Sequence, residues 1–307
     1  MQNSNQHIEE DEIDLRELFS TIWRHKLFIA IFSFFVTFSA IVYALSKPNI
    51  YESKAIFLPT KSENSNKIIP EGLDGFVTLS IGKNAGVYET YQQLLNSYDF
   101  TKGFILKSKI YEKFYNNEDY VYALGLDFFR KDSEKFGPIN KNLTQEQEAK
   151  LFGIFKTISG NLTISQDKKN NMITFSYKSP NRALNKEVLD KFLDYTGNFL
   201  KQREIKNIED KIANLNNELA LLRNIDLKNK MLELIATIYK RKVFLQAEDY
   251  SGLQVIVMPE VSYIKEKVAP KRALIVVVAA VTSLILSIFL IFFIEFIRGS
   301  KKESEEA

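Results

Sequence analysis

The chain contains 307 residues, with 41 Lys and Arg against 38 Asp and Glu, so its formal net charge is +3. This charge is too small to favour a nucleic-acid-binding protein, whose surface carries a pronounced basic excess. There is no cysteine, and both histidines, His7 and His25, precede the first long apolar run. Disulfides, thiolate metal sites, cysteine nucleophiles and histidine-based catalytic or metal centres are therefore excluded from the bulk of the chain.

Two uncharged apolar runs predict membrane-spanning helices. The first, residues 27–45, is 19 residues long, and the second, residues 273–294, is 22 residues long. At a rise of about 1.5 Å per residue the shorter run reaches about 28 Å, close to the thickness of the hydrocarbon layer. A buried core helix would be the alternative for either run, and a cleaved signal peptide for the first. The acidic segment before the first run, with Glu9, Glu10 and Asp11, favours an uncleaved anchor instead.

Two spans put both tails on one side of the membrane. The Lys and Arg counts near the span ends are almost equal on the two sides, and charges on a long translocated segment count for little. We therefore expect cytoplasmic tails at residues 1–26 and 295–307 and one large domain outside the cytoplasm at residues 46–272. That domain must carry the function.

The first elements of this domain are predicted from alternation and helical spacing. Residues 51–58 alternate apolar and polar side chains and predict a strand, which Pro59 ends. Residues 60–84 have the composition of a surface loop. Apolar residues at helical spacing then predict two short helices, Tyr88–Asn96 and Phe100–Tyr115, separated by a break.

A β-hairpin and the start of a helix are predicted in the middle of the domain. Two alternating runs at residues 162–165 and 172–177 flank a polar turn. Ser179 directly after the second run is a suitable N-cap, and Pro180 suits the first helical position because its missing N–H is harmless there.

A long helix is expected from Pro180 to about Arg223. At about 1.5 Å per residue it would measure roughly 65 Å, which is longer than a compact domain requires, so we expect it to project. A break at Asn224 and Asp226 separates it from a second helix, and the projecting helices span about residues 180–247. Apolar residues recur along the first helix at the three-and-four spacing of a heptad seam: Ile205, Ile208, Ile212, Leu215, Leu219 and Leu222. An antiparallel hairpin that buries itself and contacts between protomers explain this seam equally well.

The chain returns to the membrane through a final strand. A β-branched run at residues 253–258 predicts this strand, which ends at Pro259, and Pro270, Lys271 and Arg272 lead into the second span. If the first and last strands share one sheet, that sheet ties the two anchors together at the membrane surface. The second span carries small residues at four-residue spacing, which permit close helix packing: Ala279, Ser283 and Ser287.

No catalytic, cofactor or metal site is predicted. The Gly82-Lys83 dipeptide lacks the other residues of a phosphate-binding loop. Carboxylates that could pair in a glycosidase are better explained as charges on solvated helices: Asp210 with Glu218, and Glu248 with Asp249. A cluster of aromatic residues could stack against sugars, but core packing is the favoured interpretation for its members: Tyr111, Phe114, Tyr115, Tyr120 and Tyr122.

Six stretches occur in a characteristic order along the chain: Ile13 to Leu18, Ile22 to Lys26, Tyr51 to Ala55, Leu94 to Phe100, Ser179 to Ala183 and Val268 to Arg272. Their order and spacing, together with the two spans, resemble the Wzz-type chain-length determinants, a family of bacterial polysaccharide co-polymerases. The second span departs from the family pattern, which is often rich in glycine there, because it contains no glycine.

The resemblance implies an α+β fold, with a membrane-proximal α/β base and a long, coiled-coil-like projecting helix flanked by two transmembrane helices. It also implies a ring-like homo-oligomer in the bacterial inner membrane, with the central domain in the periplasm. The implied function is to set the modal chain length of lipopolysaccharide O-antigen, or of a related Wzy-dependent surface polysaccharide. The implied partners are the Wzy-type polymerase and the growing lipid-linked glycan, with no catalysis and no cofactor. The lack of a kinase domain after the second span favours the O-antigen type.

Two alternatives stay open at this point. A membrane-anchored glycan hydrolase would use a carboxylate pair, and a coiled-coil adaptor for polysaccharide export would use the heptad seam. Loss of a scaffold should leave glycan of random length, whereas loss of an adaptor should block export.

Overall fold

The structure, a computed structural model, describes residues 15–59, 86–114, 120–125, 136–137, 143–250 and 252–306, with only the backbone described at 15–17 and 298–306. The predicted loop at residues 60–84 lies outside these ranges. The described elements follow in chain order: α1 (Leu15–Arg24), α2 (Lys26–Ser46), β1 (Tyr51–Pro59), α3 (Val87–Asn96), α4 (Tyr98–Ser108), α5 (Tyr111–Phe114), a 3-10 turn (Ala123–Gly125), α6 (Gln145–Asn161), β2 (Leu162–Gln166), β3 (Ile173–Ser179), α7 (Arg182–Leu221), α8 (Ile225–Ala247), β4 (Leu253–Val257) and α9 (Arg272–Glu306).

The chain divides into two compact units. We call them the span unit, which comprises Met1–Pro48, Tyr122–Phe129 and Ala269–Ala307, and the sheet unit, which comprises Asn49–Val121 and Arg130–Val268. The mixture of long helices with one small sheet confirms the predicted α+β class.

The span unit is built from α1, α2 and α9. Lys26–Ser46 and Arg272–Ile297 are long and apolar enough to cross a bilayer, with mean hydropathies of 2.3 and 3.0. Both helices are consistent with the two predicted spans. Within the span unit, α2 and α9 pack against each other.

The sheet unit contains one antiparallel sheet in the order β2-β3-β1-β4. The predicted hairpin is formed by β2 and β3, and the first and last strands are neighbours as expected. Along β1 the alternation holds, with Tyr51, Ser53, Ala55 and Phe57 buried in turn. β4 pairs only with the second half of β1, and the register of this pairing shifts after Ile56.

Aromatic rings form much of the core between this sheet and its helices. The rings of Phe57 and Tyr91 both meet Phe175 edge to face, with centroids 5.5 and 5.3 Å apart. Phe104 of α4 meets Phe192 of α7 in the same way at 5.6 Å. Edge-to-face pairs of this kind stabilise a core beyond the area they bury. These pairs therefore hold α3 against the sheet and α4 against α7.

The start of the long helix differs from the prediction. Ser179 is the last residue of β3 and pairs with Tyr51. Its hydroxyl is hydrogen-bonded to the Asn181 backbone and to the Asn185 side chain. Asn181 caps α7 instead, accepting a hydrogen bond from the Leu184 N–H at 2.9 Å, and Arg182 rather than Pro180 is the first helical residue. The sheet takes priority because Ser179 is buried inside it.

The break between α7 and α8 agrees with the prediction. The Asn224 side chain accepts hydrogen bonds from the N–H groups of Asp226 and Leu227, at 2.9 and 3.2 Å, and thereby begins α8. The break between the two shorter helices is smaller than expected, since Ser97 alone ends α3 and precedes α4.

Candidate functional site

The heptad seam lies between α7 and α8 of the same chain. Ile208 is buried there, and Leu234 and Leu245 of α8 are buried opposite the seam. The other seam residues are partly buried: Ile205, Ile212, Leu215, Leu219 and Leu222. The seam therefore belongs to an antiparallel hairpin within one chain.

Ion pairs fix the register of this hairpin. Lys242 of α8 approaches Glu209 of α7 at 2.7 Å, and Arg241 pairs with Glu204 at 2.5 Å. Nearer the sheet, the Lys201 ammonium donates to the carbonyl oxygens of Gln246 and Glu248, both at 2.8 Å. These contacts join the last turns of α8 to α7. The turn that connects α7 to α8 lies at the opposite end of the hairpin.

A glycine lets the chain cross α7 where α8 ends. A Cβ atom on Gly197 would lie 3.1 Å from the Tyr250 ring, which is too close for an unstrained contact. Tyr250 is buried and its hydroxyl donates to Asp194 at 3.0 Å. Because Gly197 has no side chain, the Tyr250 ring fits against α7 where the chain returns to β4. The helix continues through Gly197 without a break.

The small residues of the second span lie where α9 packs against α2. Ser283 and Ser287 are fully buried, and Ala279 is partly buried. Each serine hydroxyl donates to a carbonyl one turn earlier, Ser283 to Ala280 and Ser287 to Leu284, both at 2.8 Å. These small residues permit close approach of α2 and α9 within the chain, and the serine hydroxyls are satisfied inside α9.

The residues at the membrane re-entry have different environments. The Arg272 guanidinium donates to the carbonyl oxygens of Ala44 and Lys47, at 2.9 and 2.8 Å, and so caps the C-terminal end of α2. The Pro270 carbonyl accepts from the Arg272 N–H at 3.0 Å, whereas Lys271 is exposed. Arg272 therefore ties the two span helices together at one end.

The two ends of the sheet unit lie beside each other. The Val268 N–H donates to the Ile50 carbonyl at 2.9 Å, and the Tyr51 hydroxyl donates to Ile264 at 3.1 Å. Ser53 donates to the Glu260 carbonyl at 2.6 Å. The segment after β4 is therefore bound along the first half of β1, where β4 itself does not reach.

The carboxylates considered for a glycosidase pair lie on helices or at a helix end. Asp210 and Glu218 are exposed on α7. Glu248 ends α8 and accepts from the Gly252 N–H at 3.4 Å. Within the described part of the chain, no group of three or more His, Asp or Glu side chains could hold a metal ion. The aromatic residues Tyr111 and Phe114 belong to the core, whereas Tyr115 lies outside the described residues.

Burial raises the pKa of two tyrosine side chains that lie close together, Tyr250 and Tyr91. Burial, followed by the nearby Asp194 carboxylate, raises the pKa of Tyr250 to about 12. Burial also raises the pKa of Tyr91 well above its usual range, with a smaller contribution from Tyr250. The protonated phenol is favoured at both positions, so these side chains serve packing and hydrogen bonding.

Sequence reasoning missed one helix of the sheet unit. α6 begins with a capping box, in which the Thr144 hydroxyl accepts from the Gln147 N–H and the Gln147 side chain accepts from the Thr144 N–H. The Thr-x-x-Gln spacing that signals this box was available in the sequence.

The chain is similar to a known protein family over part of its length and to a solved structure. Residues 11–107, less than half of the chain, match the Wzz family, described as chain length determinant protein. No curated protein matches the chain by sequence. Among solved structures, the chain is similar to a full-length bacterial polysaccharide co-polymerase at 14% identity and a TM-score of 0.41, over 94% of this chain and 99% of that one. The family match confirms the resemblance.

Proposed function

We propose that this chain, a match to the Wzz family of chain length determinants over residues 11–107, sets the modal length of a surface polysaccharide. It does so as a non-enzymatic scaffold that assembles from several copies. The matched residues include the first apolar helix, β1 and most of α3 and α4, so the family signature covers both an anchor and part of the sheet unit.

One observation carries this proposal. The chain enters the sheet unit at Ile50 and leaves it at Val268, and these residues are hydrogen-bonded to each other. Each lies a few residues from a helix long and apolar enough to cross a bilayer. A unit held at both of its ends in this way is suited to stand on a membrane and present its projecting hairpin to a growing polymer.

The proposed topology follows the charge balance and the family. Residues 27–45 and 273–294 cross the bacterial inner membrane, and the tails at 1–26 and 295–307 are cytoplasmic. Residues 46–272 form the periplasmic domain. A tag inserted in the exposed α7–α8 turn should react with a membrane-impermeant reagent in cells with a permeable outer membrane, whereas one at the C-terminal tail should not.

The proposed partners are a Wzy-type polymerase and the lipid-linked glycan that it extends, and the proposed product is O-antigen or a related polysaccharide. The test is the size distribution of surface polysaccharide on a gel, with and without the gene. Deletion should leave polymer of randomly distributed length, and the intact gene should restore a clustered distribution. A clustered distribution in the deletion strain, or a complete loss of polymer, would contradict the proposal.

Two variants separate the scaffold from a glycan hydrolase. Asp210→Asn and Glu248→Gln should leave the clustered distribution in place, because Asp210 is an exposed helix charge and Glu248 lies at the end of α8. A hydrolase that used either carboxylate would lose length control completely in that variant.

A further inference from the structure

The segment between β4 and α9 exposes all of its large apolar side chains. We call residues 258–268 the strap. Its Met, Val, Tyr and Ile side chains are exposed, from 38% at Val268 to 58% at Tyr263: Met258, Val261, Tyr263, Ile264 and Val268. An apolar surface of this kind on a folded unit marks a contact with another protein or with a membrane.

The strap is held in place by hydrogen bonds, so its exposure is not that of a loose loop. Besides the bonds to the start of β1 described above, the Arg182 guanidinium donates to the Ser262 carbonyl at 3.1 Å, and the Ser262 hydroxyl donates to the Glu52 carbonyl. The Glu266 N–H donates to the Tyr263 carbonyl at 3.0 Å and closes a turn. The strap therefore presents its apolar side chains on a fixed backbone.

The end of the strap is tethered by short pieces of chain to both long apolar helices. Val268 lies four residues before Arg272, where α9 begins. It is also bonded to Ile50, which lies four residues after Ser46, the end of α2. Four residues of extended chain span at most about 14 Å. The strap is therefore the part of the sheet unit that the chain itself keeps near the ends of the two helices.

This tether favours a lipid surface as the partner of the strap. Both helices are long and apolar enough to cross a bilayer. Once they do so, the strap is held beside the membrane at high effective concentration, and apolar contacts too weak to recruit a free partner suffice. A protein partner would have to bring a complementary surface to the same place, whereas the fluid headgroup layer accepts an irregular apolar surface.

The polar side chains of the strap suit the same environment. Tyrosine is enriched at membrane–water interfaces because its ring is apolar and its hydroxyl is polar. Lys265 and Lys267 are exposed, and such side chains lay their apolar stems along lipid while the ammonium groups reach the phosphates. Glu260 and Glu266 balance these two charges. The contact therefore depends mainly on the burial of apolar surface and does not require anionic lipid.

We infer that Val261, Tyr263 and Ile264 insert into the phospholipid headgroup layer of the membrane that α2 and α9 cross. The inference rests on the proposed function, whose topology places both helices in that membrane. Because the strap is bonded to β1, its insertion holds the sheet unit against the bilayer and limits how far the unit tilts. Two flexible tethers alone would leave that tilt free.

The absence of cysteine from the chain makes a direct test possible. Single-cysteine variants of the full-length protein, Tyr263→Cys and Ile264→Cys, are labelled with an NBD fluorophore and reconstituted in phosphatidylcholine vesicles that carry a nitroxide on the headgroup. Both labels should be quenched several-fold more than a label at Asn217→Cys, which is exposed on α7. A label at Val277→Cys, exposed on α9, is the positive control and should respond most to a nitroxide deep in the acyl chains.

A second set of variants tests whether the apolar side chains cause the insertion. With the label at Val261→Cys, the added changes Tyr263→Ser and Ile264→Ser should lower quenching by the headgroup nitroxide and raise quenching by aqueous iodide. Tyr263→Trp alone should leave both values unchanged, because tryptophan also favours the interface. The hydrogen bonds of the strap stay available in all of these variants, since Tyr263 and Ile264 accept through their backbone carbonyls.

The outcomes separate this inference from the proposed function. Strap labels that iodide reaches and the headgroup nitroxide does not quench, while the Val277 label is quenched, would show a bare strap and overturn the inference. Strap labels that neither quencher reaches would overturn it in favour of a protein cover, such as a second copy of the chain. Both results would leave the scaffold proposal standing. A Val277 label that no lipid nitroxide quenches, or polysaccharide lengths unchanged by gene deletion, would instead contradict the proposed function itself.

Discussion

Asn185 holds together three elements of the sheet unit from a fully buried position. Its amide nitrogen donates to the carbonyl oxygens of Tyr51 in β1 and Ser179 in β3, at 2.9 and 3.2 Å, and its amide oxygen accepts from the Ser179 hydroxyl. Its own place is on α7. We predict that Asn185→Ala weakens the unit because all three hydrogen bonds are lost at once.

The size of this effect follows from the number of bonds. Each buried hydrogen bond contributes about 1 kcal/mol net, so three are worth about 3 kcal/mol. Alanine recovers about 0.5 kcal/mol because it favours a helix more than asparagine does. With a urea dependence of about 2 kcal/mol per molar, the remaining loss lowers the unfolding midpoint by about 1 M.

The measurement is pulse proteolysis of the full-length chain in detergent across a urea series. Asn217→Ala is the matched control, because it makes the same substitution on an exposed face of the same helix. The control should keep or slightly raise the midpoint. Equal midpoints for the two variants would show that the Asn185 network does not stabilise the fold, and the reasoning above would be refuted.

Three further predictions concern other contacts. Tyr91→Phe should raise the free energy of unfolding by about 1 kcal/mol in the same assay, because the buried Tyr91 hydroxyl has no hydrogen-bond partner among the described residues. A decrease of similar size in the free energy of unfolding would contradict this prediction. The stability that Tyr250 contributes should be fully present below about pH 10, the pKa of an unfolded tyrosine, and should be lost as the pH rises toward the folded pKa of Tyr250, about 12. Tyr250→Phe should flatten that alkaline loss in urea midpoints measured between those values, and an unchanged slope would count against the assignment. Ser287→Leu should destabilise the α2–α9 contact by about 1 to 3 kcal/mol through overpacking. The thermal aggregation temperature in detergent should fall as a result. Thr282→Leu, on the exposed side of α9, should leave that temperature unchanged.

Features set by local pattern were predictable from the sequence. The alternation in β1, the polar turn of the hairpin, and the asparagine that begins α8 depend on neighbouring residues only, and the structure has all three. The long helix was predictable for the same reason, since Gly197 is its only helix breaker and one glycine costs a helix of this length little.

Features decided by distant contacts were not predictable. Ser179 has the local chemistry of a helix cap, but its pairing with Tyr51 keeps it in the sheet. The heptad seam indicated a partner without identifying it, and only the fold places α8 against it.

The side-by-side ends of the sheet unit make it an exchangeable module. Since Val268 is bonded to Ile50, the chain leaves this unit beside the point where it entered. A domain whose two ends are adjacent can be replaced by another domain with the same distance between its ends, and the flanking helices need not move. Tolerated domain insertions depend on the same property. Chimaeras joined at these two residues should therefore combine the two long apolar helices of this chain with the sheet unit of a relative.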